Sequence, residues 1–298
     1  MDSEPRPIRT GRAITVSVVA GIALAVLWSY EFVDSVIGDN VANSLLGGDA
    51  KADAIAGTTA GLVFAFVSGL AGTFTACNIA MAASIGPMAQ VGERSENPMR
   101  ALGWAVGLLT AGMCVVAAVY GFAGVLLGDR LPQLSTATAG GVPVRIIQSS
   151  VVFGLIGLAL IGLGLAVLGV LPDPFRRRPQ LRVFVLGALI GGFLIGRPYP
   201  LFNKLFHWAA DSGQPLLGSA AFVLQSLGNV LLVTVVFAAL VAVTRGGFLR
   251  LLTRDPRRTA LVAGTLLLGL GVFTVVYWDV RVPAIFGFGW FPTMFYNH

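Results

Sequence analysis

The sequence predicts an all-α polytopic membrane protein with about seven transmembrane helices. The first stands alone, and the other six form two inverted three-helix repeats with broken helices. Composition is the first observation behind this fold class. Hydrophobic residues make up 56% of the 298-residue chain and charged residues 11%, far from the roughly 25% charged of a soluble domain. The second is pattern: the apolar residues come in blocks of about twenty, the length that crosses a hydrocarbon core, rather than in amphipathic stripes. The third is a pair of similar segments in the two halves, described below.

The spans are predicted at 13–30, 55–86, 101–127, 147–171, 183–203, 216–243 and 259–278. They divide the chain into a cytoplasmic stub, first helix and outer loop (1–54), a first repeat (55–175), a second repeat (176–278) and an aromatic outer tail (279–298). The first span follows a basic start (Arg6, Arg9, Arg12) like that of a signal peptide. However, "WSYEFVDS" offers no small-residue cleavage site, so it reads as a retained helix. The tail "IFGFGWFPTMFYNH" has the aromatic content of an interfacial anchor.

Basic residues orient the bundle. Alternate loops carry Arg6, Arg9 and Arg12, then Arg94 and Arg100, then Arg176, Arg177, Arg178 and Arg182, then Arg245, Arg250, Arg254, Arg257 and Arg258. These are fourteen of the twenty Lys and Arg. The opposite loops hold Lys51, Arg130, Arg145, Lys204 and Arg281, and Arg197 falls inside a span. The excess predicts a cell (plasma or inner) membrane protein with its amino terminus in the cytoplasm and its carboxyl terminus outside. The same asymmetry accounts for a pI near 9.9, so the lipid bilayer is the expected partner and nucleic acid is not.

The halves look duplicated. "LIGLGLAVLGV" in the fourth span matches "LLGLGVFTVVY" in the seventh, which pairs spans two to four with spans five to seven. Three helices is an odd number, so the halves run in opposite senses, and the site of such a repeat lies between broken helices at mid-membrane. Breaks are expected where each half opens. A straight helix over 55–86 would be about 48 Å long against a core of about 30 Å. Gly69, Gly72 and Pro87 mark a break around "GTFTACN", and Pro198 and Pro200 disrupt "GGFLIGRPYPLFNKLF".

On these residues the chain resembles the CcdA/DsbD transmembrane family, thiol–disulfide electron transporters of cytochrome c biogenesis and extracytoplasmic disulfide reduction. The resemblance covers 55–278 and implies six core helices in two inverted halves, each opening on a Pro-Cys motif with a second proline. In "GLAGTFTACNIAM", Cys77 stands at the first family cysteine, with Ala76 and Ala80 in place of the prolines. In "GRPYPLF", Pro198 matches the second motif's proline and Tyr199 takes the cysteine's place. The resemblance implies reducing equivalents moving across the membrane, with thioredoxin-like proteins as partners on either side. The chain has two cysteines, Cys77 and Cys114, and these are the candidate redox thiols. Each lies roughly 15 to 21 Å along its helix from the cytoplasmic hairpin, within which a pairing at Cα distances of about 4.4 to 6.8 Å is open. Cys114 also reads as a small packing residue beside Gly112.

Asn78, Arg197 and Tyr199 form a candidate substrate path. A charge at the bilayer centre costs about 2.5–3.5 kcal/mol on insertion scales, so Arg197 next to a break marks a functional site. Asn78, Gln225 and Asn229 read equally as interhelical hydrogen-bonding residues. Lys204 and Asp211 read as part of a wet loop. His207 has no second histidine or carboxylate at ligand spacing, so no metal site is expected, and no motif calls for a cofactor. Three function classes remain: a thiol relay, which the resemblance puts first, and as alternatives a small-solute or ion (anion) transporter using Arg197 and Tyr199, and a non-catalytic subunit of a membrane assembly.

Overall fold

The computed structural model describes residues 10–74, 98–244, 255–292 and 294–296. Its long elements are helical, and the strands are one two-residue ribbon. Among the described residues, four helices are long and apolar enough to cross a membrane, over Gly103–Leu127, Val144–Val167, Pro215–Val235 and Arg257–Ile285. A fifth span results if the bent pair Gly11–Leu27 and Phe32–Leu46 counts as one. Gly57–Ala71 and Pro179–Phe193 are apolar but shorter. The chain is therefore a membrane-embedded, multi-pass helical protein.

In chain order, α1 is Thr10–Leu27, followed by a π-helical turn over Phe32–Gly38 and α2 over Asp39–Leu46. The stretch 31–54, read from the sequence as a loop, is thus helical for most of its length. Helix α3, Gly57–Ala71, runs into a 3₁₀ turn at Gly72–Phe74. Helix α4 is Pro98–Leu127. It is followed by the ribbon β1 (Thr138–Ala139) and β2 (Val142–Pro143), whose turn uses Gly140 and Gly141 at φ 60° and 83°. Positive φ at both central residues is the type I′ requirement, met here by glycine without a steric penalty. Helices α5 (Val144–Val167) and α6 (Pro179–Gly196) precede a break, and α7 is Pro200–Asp211. Helix α8 is Pro215–Val243 and α9 is Pro256–Val275, which becomes π-helical over Val276–Arg281 before α10, Val282–Ile285. Proline opens α6, α7 and α9 near the first helical position, where its missing N–H leaves no bond unmade.

Helix α4 packs against α6 and α8, α8 against α3, and α5 against α9, with α1 outside on α9. Lipid supplies no hydrophobic drive for these contacts, so close backbone approach through small residues does the work. A side chain on Gly112 of α4 would strike the Phe184 carbonyl of α6, and one on Gly187 of α6 would strike the Leu109 carbonyl of α4. The same crossing is made by α3 and α8, with Gly228 against the Phe66 carbonyl and Gly69 against the Gln225 carbonyl. Between α5 and α9, Gly157 meets Gly271 and Gly164 meets Gly264, with Cβ positions 2.7–3.1 Å from the facing carbonyl oxygens. Around these seams Leu109, Met113, Phe153, Leu160, Leu186, Ile190 and Leu267 fill the interior.

These crossings set an expectation for stability. Gly187→Ala and Gly69→Ala should each lower unfolding stability in detergent by about 1–3 kcal/mol through overpacking. Gly107→Ala, where nothing lies within 4 Å of the added methyl, should be neutral or slightly stabilising. Thermal unfolding followed by circular dichroism checks the contrast.

Candidate functional site

The break after α6 follows from four residues, Arg197-Pro198-Tyr199-Pro200. A residue before proline is pushed out of the α region, and here that happens twice in succession. Arg197 (φ −80°, ψ 124°) and Tyr199 (φ −79°, ψ 132°) are both extended. Helix α6 therefore stops at Gly196, whose carbonyl lies 2.5 Å from the Ser149 hydroxyl of α5. That hydroxyl also sits 2.9 Å from the Arg145 carbonyl, so its one proton serves one of the two at a time.

The two extended residues point to the segment after α1. Arg197 pairs through Nη2 with Asp34, while its Nη1 is buried without a hydrogen-bond partner. The guanidinium stands 5.1 Å over the ring of Tyr199. Tyr199 is itself 1% exposed and donates its hydroxyl to Asp39 Oδ1 at 3.1 Å. Asp39 in turn pairs with Lys51. The absence of a side chain at Gly38 makes room for the phenol, since a Cβ there would lie 2.6 Å from its oxygen. Lys204 of α7 completes the attachment by donating to the carbonyls of Ala50 (2.7 Å), Lys51 (3.2 Å) and Asp53. It belongs to a helix and holds the 47–56 loop, rather than lying in a loop itself. In that loop the backbone N–H groups of Ala52 and Lys51 hold the Asp49 carboxyl below the usual carboxylate range.

A second helix end meets the first. Helix α1 stops at Leu27, and the following segment leaves at 66°, which frees the carbonyls of the last turn. Arg281, 2% exposed, donates through Nη1 to Ala25 O at 2.6 Å and Trp28 O at 2.8 Å. Tyr296 donates to Leu27 O at 2.9 Å. A cation on the negative end of a helix is also favoured by the helix dipole. The aromatic tail is thus tied by a directed bond to the end of α1.

Between these ends lies a cavity of about 330 Å³. Its walls are aromatic: Trp28, Phe153, Phe193, Phe273, Tyr277 and Trp278. Trp278 stacks on Phe153 at 4.4 Å, and Phe153 packs on Phe193 at 5.2 Å. Its charged lining is Asp34, Arg145 and Arg197. Both π-helical turns contribute to it, Asp34 from the first and Tyr277 and Trp278 from the second. Such turns recur at functional sites because they place side chains outside the regular helical register.

The structure sets the Arg197 guanidinium over the ring of Tyr199. Arg197 lines the cavity and Tyr199 does not, and both have partners that the sequence did not single out. Cys114 is a free, half-buried thiol on α4 and does not line the cavity. Cys77 and Asn78 lie outside the described residues. The residues missed were Asp34, Asp39, Arg145, Arg281 and the aromatic wall. The available signal was electrostatic: a buried arginine requires an acidic partner, and Asp34 and Asp39 are the acids set among apolar residues in "FVDSVIGDNV". Comparison with protein-family models, with curated proteins and with solved structures finds no match.

Arg281→Met should destabilise the protein by about 1.5–3 kcal/mol, because bonds from a charged donor to buried carbonyls are lost. Tyr296→Phe, at the exposed end of the same cap, should cost less than about 1 kcal/mol. Denaturation in detergent micelles measures both.

Proposed function

We propose that this is a multi-pass transport protein of the cell membrane, amino terminus inside and carboxyl terminus outside, on an inverted-repeat scaffold like that of the CcdA/DsbD family. The transported species is a small solute engaged at the Arg197 cavity. The observation that carries this is an arginine with an unpartnered donor nitrogen, set at a proline break and lining an aromatic cavity. Amino termini of broken helices face anionic groups in repeat transporters, and here Arg197 adds a positive charge three residues before the start of α7.

The glycine crossings support the repeat. Leu109 and Gly112 of α4 correspond, 116 residues later, to Gln225 and Gly228 of α8. Phe66 and Gly69 of α3 correspond, 118 residues later, to Phe184 and Gly187 of α6. The contact of α4 with α6 thereby becomes the contact of α8 with α3, atom type for atom type. A shift of 107 residues maps Gly157 and Gly164 onto Gly264 and Gly271, the register in which "LIGLGLAVLGV" aligns with "LLGLGVFTVVY". On this reading α3, α4 and α5 form one half, α6, α8 and α9 the other, and α1 brings the spans to seven.

A second reading is favoured by the free thiol on α4: thiol–disulfide exchange with thioredoxin-like proteins for cytochrome c biogenesis or disulfide reduction. With Tyr199 buried and bonded to Asp39, that relay would run on Cys77 and Cys114. The two readings separate in proteoliposomes. On the transport reading, Arg197→Gln lowers solute flux at least tenfold without changing the elution profile, and Cys77→Ser with Cys114→Ser leaves flux intact. Loss of thiol transfer in Cys77→Ser, with no solute flux in the parent protein, would select the relay.

Orientation has its own test, on a cysteine-free background. An impermeant thiol reagent added to intact cells should label a cysteine placed at Ser135 and spare one placed at Gln180. The reverse pattern inverts the topology.

A further inference from the structure

We infer that the cavity takes a compact organic carboxylate with an apolar body, and that this carboxylate exchanges with Asp34 on Arg197. The inference rests on the transport reading above and names its substrate class. Charge comes first. The cavity is lined by one carboxylate and two guanidinium groups, Asp34 against Arg145 and Arg197, so a single negative charge completes the balance. Arg197 uses one terminal nitrogen on Asp34 and keeps the other without a partner. A planar guanidinium binds a carboxylate through two parallel bonds, so an incoming carboxylate that displaces Asp34 takes both terminal nitrogens, the one Asp34 held and the buried one beside it. Arg145 at the exposed rim draws the anion in.

The walls then select the body of the ligand. Trp28, Phe153, Phe193, Phe273 and Trp278 offer apolar faces and edges that an inorganic anion would leave unfilled. A quaternary cation suits an aromatic cage, but here it would face two arginines. Size sets the limit: about 330 Å³ lies at the bottom of the roughly 300–1,000 Å³ range of ligand pockets, enough for an aromatic acid and short for an acyl chain. Asp34 sits on the π-helical segment that leaves α1 at 66°, so its release removes one of the contacts that tie this segment to the break, while Asp39 stays bonded to Tyr199.

The test uses the full chain in detergent, with benzoate as probe and the fluorescence of Trp28 and Trp278 as readout. Benzoate should quench saturably, while benzamide, its uncharged isostere, should bind at least tenfold more weakly. Arg145→Gln should weaken benzoate several-fold. Asp34→Asn, which keeps an acceptor for Arg197 but removes the competing charge, should tighten it several-fold. Benzamide binding as well as benzoate, or Asp34→Asn leaving benzoate affinity unchanged, overturns the inference. Tighter competition by laurate than by benzoate also overturns it, by assigning the cavity to lipid. Flux measurements separate this from the parent reading. Benzoate binding without any solute flux sinks transport and keeps the site, whereas flux of another solute without benzoate binding does the opposite.

Discussion

A hydrocarbon core offers no hydrogen bond to a backbone group, so every carbonyl freed at a helix break must be met by the protein. The rest of this structure depends on that constraint. Helices α1 and α6 both end within the bundle, and each end is met from another element. Gly196 has the Ser149 hydroxyl, and Ala25 and Trp28 have Arg281. Once two helix ends are held in this way, side chains that could not have been desolvated on a continuous helix become affordable. Arg197 is the one that results, extended by Pro198 and held by Asp34.

The cavity follows from the same breaks. Where α1 and α6 stop, the space a continued helix would fill is left between α5, α9 and the turned segment after α1. The large aromatic residues that line it, Phe153, Phe273 and Trp278 among them, fill it only in part. The two π-helical turns rotate their side chains relative to the flanking helices and present Asp34 and Tyr277 to the same space. Packing elsewhere is the reverse: glycine on carbonyl at the α3–α8, α4–α6 and α5–α9 crossings. Among the described residues, tight glycine seams thus stand beside an aromatic cavity that holds the charged Asp34, Arg145 and Arg197.

Helix content and membrane character were legible because they rest on composition and block length, which lipid imposes directly. The break at Pro198 was legible too, since two successive residues before proline leave little choice of backbone. The helix over Phe32–Leu46 was not. Its residues read as part of an outer loop, and the half-buried setting of its acids rests on the tertiary pairing of Asp34 with Arg197 and of Asp39 with Tyr199. Arg281 was counted as an outer-loop charge for a similar reason: its role depends on where α1 stops, and no local pattern records that. The aromatic tail read as an interfacial anchor, and the bond from Tyr296 to Leu27 was not legible because it depends on where α1 stops. Glycine crossings were invisible as contacts, because a glycine in the sequence does not say which carbonyl it faces.

A double-mutant cycle on Asp34 and Arg197 measures directly how far the two charges depend on each other, read as unfolding free energy in detergent with Asp34→Ala, Arg197→Ala and the pair. An ion pair held inside the bundle should show coupling of at least about 2 kcal/mol, with each single change more damaging than the double, because either alone leaves a charge without its partner. Coupling below about 0.5 kcal/mol, the level of an exposed surface pair, would contradict the account, since Arg197 would then be solvated independently of Asp34.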